Sequence, residues 1–210
     1  REGSGAPEKV RKRVVENMDG AYFPVKTIIP STEIVHDRVM LELFRGCIRG
    51  CRFCQAGYVY RPVRSRSPEL LAQYGKAACE DSGYQEMTLS SLSSTDYPCL
   101  LELCDDLLDY CAPRDIGLSL PSMRADTFSM NLMERLQRVR KGGLTFAPEA
   151  GTQRLRDAIN KNLREEDLLQ SVRTAFTGGW NGVKLYFMLG LPTETDEDVL
   201  GIADLARKVY

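Results

Sequence analysis

The sequence predicts an α/β protein built on a parallel sheet, because short apolar runs alternate along it with amphipathic stretches. Five such strand–helix units follow one another without a long low-complexity linker. The length of 210 residues fits one domain, and 43% apolar residues are too many for a disordered chain. No apolar run approaches the roughly 18 residues that suggest a membrane-spanning helix. The net charge of −1 excludes bulk attraction to nucleic acid or anionic lipid, but not a local basic patch.

The five strands are predicted where apolar residues gather between turn residues. They cover Val39–Phe44, Glu86–Ser90, Ile116–Leu120, Leu144–Ala147 and Val183–Leu189. A helix start is predicted at Ser67-Pro68-Glu69, which combines a capping hydroxyl, a proline at the first helical position and an acid facing the helix dipole. Glycine pairs at 142–143 and 178–179 predict the ends of two later helices, because left-handed backbone costs glycine little.

Two further helix starts are predicted from caps. Thr95 or Asp96, with Pro98 shortly after, begins a helix that runs to about Tyr110. The segment Thr195–Asp198 resembles a capping box for the last helix, since its first and fourth residues can each bond the other's backbone amide.

Residues 1–35 are predicted to be an irregular lead-in, and residues 36–210 to form the core. A chain that ends on a helix after its fifth strand does not complete a barrel of six or eight units. We therefore expect the last strand to lie downstream and the chain to be a fragment of a larger protein. The N-terminus lacks the apolar core of a signal peptide, so a cytoplasmic protein is expected.

Three of the seven cysteines, Cys47, Cys51 and Cys54, lie within eight residues directly after the first predicted strand. An odd count without a secretion signal favours reduced thiols over disulfides. Gly46 and Gly50 permit the tight backbone that a compact metal site needs. Sites in parallel α/β folds form at the carboxyl ends of strands, where this loop begins. The other four cysteines are interpreted as structural helix thiols: Cys79, Cys99, Cys104 and Cys111.

Two metal centres fit these thiols. Structural zinc takes four ligands, and His36 is the only histidine, so a fourth ligand is not apparent. A 4Fe–4S cluster normally takes four thiolates, and three would leave one iron open to a substrate or cosubstrate. A zinc-dependent nucleic-acid-binding module stays the alternative, since residues 45–66 contain six arginines and no carboxylate.

The spacing Cys47-x3-Cys51-x2-Cys54, with Phe53 before the last cysteine, resembles the defining motif of the radical S-adenosylmethionine (SAM) superfamily. The resemblance runs from about Pro24 to the end of the chain. Ser67-Pro68-Glu69 and the segment 146–152 look closer to an uncharacterised family related to the methylthiotransferase-like branch. Members of that family are similar to large proteins in which a cobalamin-binding-like domain precedes the radical domain.

The resemblance implies a partial (βα)6 TIM-like barrel that lacks its last strand. It further implies that the three cysteines hold three irons of a 4Fe–4S cluster, while SAM chelates the fourth. Reductive cleavage would give methionine and a 5'-deoxyadenosyl radical that abstracts hydrogen from an unknown substrate. The implied partners are a flavodoxin- or ferredoxin-like electron donor, an unidentified substrate with RNA as one candidate, and cobalamin through a domain outside this chain.

Contacts to SAM are implied at the strand ends. Ser90 and Ser91 stand where the superfamily usually has a Gly-Gly-Glu-like segment for the amine, and Arg124 is implied to bind the carboxylate. Glu149 is the implied ribose ligand, and Thr152 a weaker one. The remaining implied contacts are Phe53, Met188 and Gly190.

Structural interpretations of the same residues remain open. The missing acid leaves a non-catalytic iron–sulfur barrel as a further alternative. Arg124 fits a strand-end cap, the serines at 90–94 fit turn chemistry, and Met188 fits a core residue. The arginines of the cysteine loop are interpreted as compensating a negatively charged cluster: Arg45, Arg49 and Arg52.

Overall fold

The computed structural model describes residue 5, residues 7–140 and residues 142–210. Its strands are β1 (Val39–Glu42), β2 (Phe44–Arg45), β3 (Arg64–Ser65), β4 (Glu86–Ser90), β5 (Gly117–Ser119), β6 (Leu144–Glu149) and β7 (Val183–Phe187). Its α-helices are α1 (Gln55–Val59), α2 (Pro68–Ser82), α3 (Leu100–Cys111), α4 (Met130–Leu136), α5 (Gln153–Ala158), α6 (Glu165–Thr177) and α7 (Asp196–Val209). Single 3₁₀ turns cover Ser94–Asp96, Ala112–Arg114 and Ala125–Thr127. Among the described residues, no helix has the length and apolar character needed to span a bilayer.

Five parallel strands form the frame of the fold, in two hydrogen-bonded groups. β4 lies between β1 and β5, with Val39 opposite Met87. β6 pairs with β7, with Leu144 opposite Val183. All five predicted strands are confirmed, as is the α/β class, and the parallel strands within each group present their carboxyl ends at a shared edge.

The core lies between the strands and the helices that cover them. Gly75 of α2 lets this helix approach the sheet, because a Cβ there would lie only 2.9 Å from the Leu41 side chain and 3.0 Å from that of Met87. In β4 and β5, the Thr88 and Ser119 hydroxyls bond each other at 2.8 Å. The β1–β4–β5 sheet therefore contains the Thr88–Ser119 hydrogen-bonded pair in addition to the apolar side chains that pack against the helices.

A short antiparallel hairpin, unpredicted from the sequence, closes the base of the cysteine loop. Phe44 of β2 pairs with Ser65 of β3, and Arg45 pairs with Arg64. Two-residue strands show no alternating pattern, so only the structure reveals them. The hairpin makes residues 46–63 a long excursion whose two ends are held together.

Helix ends follow the predictions where caps form and depart from them elsewhere. α2 starts after Ser67 as predicted, α6 ends at Thr177 before Gly178, and Thr195 makes both bonds of its capping box. The predicted start at Thr95 or Asp96 is wrong, because α3 begins at Leu100.

Pro98 explains the late start of α3. Its ring disfavours helical backbone at the residue before it, and Tyr97 is accordingly extended with ψ 120. The glycine pair at 142–143 was also a wrong end signal, since α4 already ends at Leu136.

The lead-in contains no helix or strand in its described residues, yet it packs on the core. Met18 is 1% exposed, and its carbonyl accepts a hydrogen bond from Arg66 Nη1 at 2.5 Å. Phe23 stacks on Tyr74 of α2 with ring centroids 4.7 Å apart. Arg66 is thus a buried anchor for the lead-in.

Candidate metal centre at the strand ends

The cysteine loop presents three free, half-buried thiols, Cys47, Cys51 and Cys54, after the carboxyl end of β1. Their sulfurs are soft donors, and thiolates select zinc, copper(I) or iron–sulfur clusters. Within the described residues, no group of three or more His, Cys, Asp or Glu converges as a single-ion site requires. Three thiolates would ligate three irons of a 4Fe–4S cluster and leave the fourth iron open to another ligand.

Two glycines shape this loop. Gly46 has φ 95, and a Cβ there would lie 2.8 Å from the Tyr60 carbonyl oxygen and 2.9 Å from that of Pro62. Gly50 has φ 73, which also favours glycine. The sequence-based role of both glycines, a tight loop backbone, agrees with this geometry.

A strap of residues 159–162, which follows α5, holds the cysteine loop from the other half of the chain. The Arg52 amide donates to the Ile159 carbonyl at 2.9 Å, and Asn160 Nδ2 donates to the Gly50 carbonyl at 2.8 Å. Asn160 and Asn162 are left-handed, with φ 55 and 50. Asparagine tolerates this conformation better than most residues, which is the one sequence signal that could have identified the strap.

A cavity of about 340 Å³, here called the cysteine cavity, lies between the loop and the strand ends. Six of the predicted site residues line it: Cys47, Cys51, Phe53, Cys54, Arg124 and Glu149. Lys161 of the strap also lines it and was missed, because nothing in the sequence around it indicates its position. Its Nζ lies 3.1 Å from Glu149 Oε1, which makes a half-buried ion pair in the cavity wall.

The two other cations at the cavity are held by carboxylates. Arg124 binds Asp126 with an Nε–Oδ1 distance of 2.9 Å and donates to the Asn162 carbonyl at 3.2 Å. Arg49 pairs with Asp96 and Asp126. Arg49 therefore has its charge neutralised by carboxylates from outside the arginine-rich segment, as Arg45 does by Glu42.

Burial and two nearby cations, Lys161 and Arg124, shift the pKa of the Cys51 thiol in opposite directions. Burial raises the pKa of Cys51, while Lys161 first and Arg124 second lower it, and the neighbouring thiols raise it further. Burial prevails, so the metal-free thiol has a raised pKa. Lys161 is thus the foremost cation acting on the Cys51 thiol, ahead of Arg124.

The other predicted site residues lie outside the cysteine cavity. Ser90 and Ser91 line a neighbouring cavity of about 330 Å³. Thr152 caps α5 by accepting from the Leu155 amide at 3.3 Å. Met188 packs in a small apolar cluster that includes Phe53. Gly190, with φ 78, donates its amide to Glu194.

The protein therefore has a parallel α/β fold with three clustered thiols and a cavity at its strand ends. The family model of the Radical SAM superfamily matches residues 41–206. The chain therefore belongs to the radical SAM superfamily, and it is an enzyme core of that kind. Its family cofactors are a 4Fe–4S cluster and SAM, and the match favours these over the zinc-dependent module.

Curated relatives and solved structures agree with this assignment. An uncharacterized protein of Methanocaldococcus jannaschii is 40% identical over 170 residues, which cover 81% of this chain and 37% of that protein. A tRNA-2-methylthio-N(6)-dimethylallyladenosine synthase of Pelotomaculum thermopropionicum is 27% identical over 95% of this chain and 46% of its own length. The chain thus spans less than half the length of either relative.

Solved structures show the same fold. The radical SAM methyltransferase TsrM from Kitasatospora setae, with cobalamin and a [4Fe–4S] cluster bound, superposes with a TM-score of 0.67 at 14% identity, over 81% of this chain and 34% of that one. The cobalamin-dependent radical enzyme OxsB superposes with a TM-score of 0.61 at 15% identity, over 80% of this chain and 26% of its own.

Proposed function

We propose that Cys47, Cys51 and Cys54 hold the 4Fe–4S cluster and that the cysteine cavity receives SAM. The observation that carries this proposal is the set of three half-buried thiols on the wall of a cavity that also holds the Lys161–Glu149 ion pair. When bound, the cluster supplies the electron for reductive cleavage of SAM. The protein's own groups orient the cosubstrate and exclude water.

The cavity charges match the two polar ends of SAM. Lys161 offers an ammonium beside Cys51, where the amino-acid carboxylate would lie, and Arg124 adds positive charge while Asp126 keeps its side chain fixed. Glu149 would accept hydrogen bonds from the ribose hydroxyls, and Phe53 would form an apolar wall of the site. Glu149 has a φ of 68, so its backbone is held in a conformation unusual for this residue type.

The predicted site residues that do not line the cysteine cavity are assigned to the periphery of the same SAM site. Ser90 and Ser91 would bind the amine from the neighbouring cavity, Met188 and Gly190 would contact the adenine, and Thr152 would order the turn after Glu149. Support for these roles comes from their positions at the ends of β4, β6 and β7. For Thr152 the support is the weakest, because its hydroxyl already caps α5 and bonds Asp198.

The proposal also concerns parts of the protein, an electron donor and a substrate that lie outside this chain. Residues 36–210 would be the radical core of a longer protein, because the chain spans less than half the length of either curated relative, and cobalamin would bind in a domain outside them. A flavodoxin- or ferredoxin-like protein would supply the electron, and the cytoplasm is the expected compartment because it keeps cysteines without disulfides reduced. An RNA is the first substrate class to test, because a relative at 27% identity is named for a tRNA modification.

Anaerobic reconstitution with iron and sulfide tests the proposal. We expect four irons per chain and a paramagnetic signal of the reduced cluster that changes when SAM is added. A triple variant with alanine at 47, 51 and 54 should lose the iron, and Cys99→Ala should retain it, because Cys99 caps α3 outside the loop. Full iron content in the triple variant would overturn the assignment.

A further inference from the structure

We infer that an exposed basic face on the outside of the cysteine loop is the docking surface for an acidic one-electron carrier protein. The centre of this face is formed by Lys12, Arg52 and Arg61, and the remaining cations are exposed on the segment that carries Lys12: Lys9, Arg11 and Arg13. This inference rests on the proposed function, since only a redox centre behind the face makes such a partner necessary.

Two contacts bring this face together from distant segments. Lys12 Nζ donates to the Val59 carbonyl at 2.8 Å and to the Arg61 carbonyl, so the basic run of the lead-in lies against α1. The Arg61 guanidinium lies 5.2 Å from the centre of the Tyr58 ring. A Cβ added to Gly50 would lie 3.4 Å from Arg61 Nη2, which places Arg61 at the cysteine loop itself.

The face is positive although the chain's net charge is −1. None of the ion pairs formed within the described part of the chain uses one of its six cations, whereas Arg45 and Arg49 are both paired. Glu8 and Glu16 flank the run 9–13 without cancelling it. Exposed apolar side chains of α1 lie beside the cations, Tyr58 next to Arg61 and Val59 next to Lys12, and a docked partner would bury them.

The position of the face decides what kind of partner it serves. Cys51 and Phe53 line the cysteine cavity, while Arg52 between them is exposed and does not line it. A molecule docked on the basic face therefore approaches the cysteines from outside and leaves the cavity open. Such a partner can deliver an electron, whereas a substrate must reach the cavity to meet the radical.

The redox step needs no atom transfer. The carrier loses one electron, the cluster gains it, and no bond forms or breaks. Acidic carriers are attracted to a positive face, and this attraction raises the encounter rate by roughly tenfold to a thousandfold at low salt. Family members need a reductant, which is the class of co-reactant that the face would accept.

The test compares the rate of cluster reduction by two reductants in the reconstituted chain. Reduced flavodoxin must dock on the protein, whereas the small reductant derived from dithionite need not. We expect Arg61→Glu to slow cluster reduction by flavodoxin at least about tenfold at low salt, and to leave reduction by the small dithionite-derived reductant unchanged. Arg173→Glu, an equal charge change on an exposed residue of α6, should leave both rates unchanged. Added salt should slow flavodoxin reduction of the unaltered chain more than that of Arg61→Glu.

A second experiment measures the affinity of flavodoxin for the metal-free chain by calorimetry. The affinity of tRNA for the same chain is measured in parallel, because nucleic acid is the competing explanation of the basic face. Weaker flavodoxin binding by Arg61→Glu supports the inference even if the wild-type cluster fails to cleave SAM, a failure that counts only against the proposed function. Equal loss with both reductants, or loss with neither, overturns the inference. Loss of tRNA affinity with unchanged flavodoxin reduction would assign the face to nucleic acid and also overturn it.

Discussion

Asp198 is a buried carboxylate, 2% exposed, that ties the start of α7 to α5. It accepts hydrogen bonds from the Thr195 amide at 2.8 Å and the Thr195 hydroxyl at 2.9 Å, and also bonds Thr152 and Arg154. These bonds, that from Thr152 foremost, hold the pKa of Asp198 well below its ordinary value of 3.8. The carboxylate form is therefore the one that stabilises the fold.

We predict that Asp198→Asn lowers the melting temperature by at least about 4 °C at neutral pH. A depressed folded pKa contributes stability above the unfolded pKa and loses it as pH falls towards the folded one. The difference between wild type and variant should thus narrow below about pH 4. Circular dichroism melts across the acid range check this, with Asp106→Asn at an exposed ion pair as control. A gap independent of pH would contradict it.

The cysteines fall into two chemical groups. Burial raises the pKa of Cys104 to about 12 and those of Cys79 and Cys111 to about 11. These three thiols are buried in helices α2 and α3, where the sequence predicts structural cysteines. The loop thiols are half-buried and border a cavity, so reagents reach them.

We predict that iodoacetamide at about pH 8 modifies the three loop thiols at least roughly a hundredfold faster than the helix thiols Cys79, Cys104 and Cys111. Reconstitution with iron and sulfide should protect only Cys47, Cys51 and Cys54. Peptide mass spectrometry before and after reconstitution measures both effects. Equal protection of Cys99, which is half-buried outside the loop, would show that protection comes from global tightening and not from ligation.

At the scale of elements, the strap is the part of the site that joins the two halves of the chain. Its contact to the cysteine loop joins Asn160 to Gly50, which lie 110 positions apart. The cysteine motif could be predicted because its spacing is local. Lys161 and Asn160 could not, since only the tertiary fold brings them to the loop. The β2–β3 hairpin escaped prediction for a different reason, because a two-residue strand has no periodicity.

We predict that Asn160→Gly weakens cluster retention by about 1 kcal/mol, or roughly fivefold in the rate of iron loss to a chelator. Glycine keeps the left-handed backbone and removes only the amide bond to Gly50. Asn162→Gly is the matched control, because Asn162 shares the left-handed φ and no described contact uses its side-chain amide. Equal iron loss in both variants would locate the effect in the backbone of the strap.

At the scale of the whole molecule, the site is a seam between two parts of the fold. The cysteine loop follows β1 in the first part, whereas Glu149 and Lys161 follow β6 in the second. β1, β4 and β5 form one sheet and β6 and β7 another, and the described strands show no pairing between these groups. A ligand that contacts both sides of the cavity therefore adds contacts across this seam.

SAM should accordingly stabilise the reconstituted chain. A ligand at a hundred times its dissociation constant stabilises by about 2.7 kcal/mol, which in a chain of this size raises the melting temperature by roughly 5–10 °C. Lys161→Met should remove most of this rise, because the ammonium beside Cys51 would no longer face the cosubstrate carboxylate. Lys76→Met, which breaks an exposed ion pair with Asp106, should leave the rise intact. Calorimetry with and without SAM measures it, and an equal rise in the triple cysteine variant would show that SAM binds without the cluster.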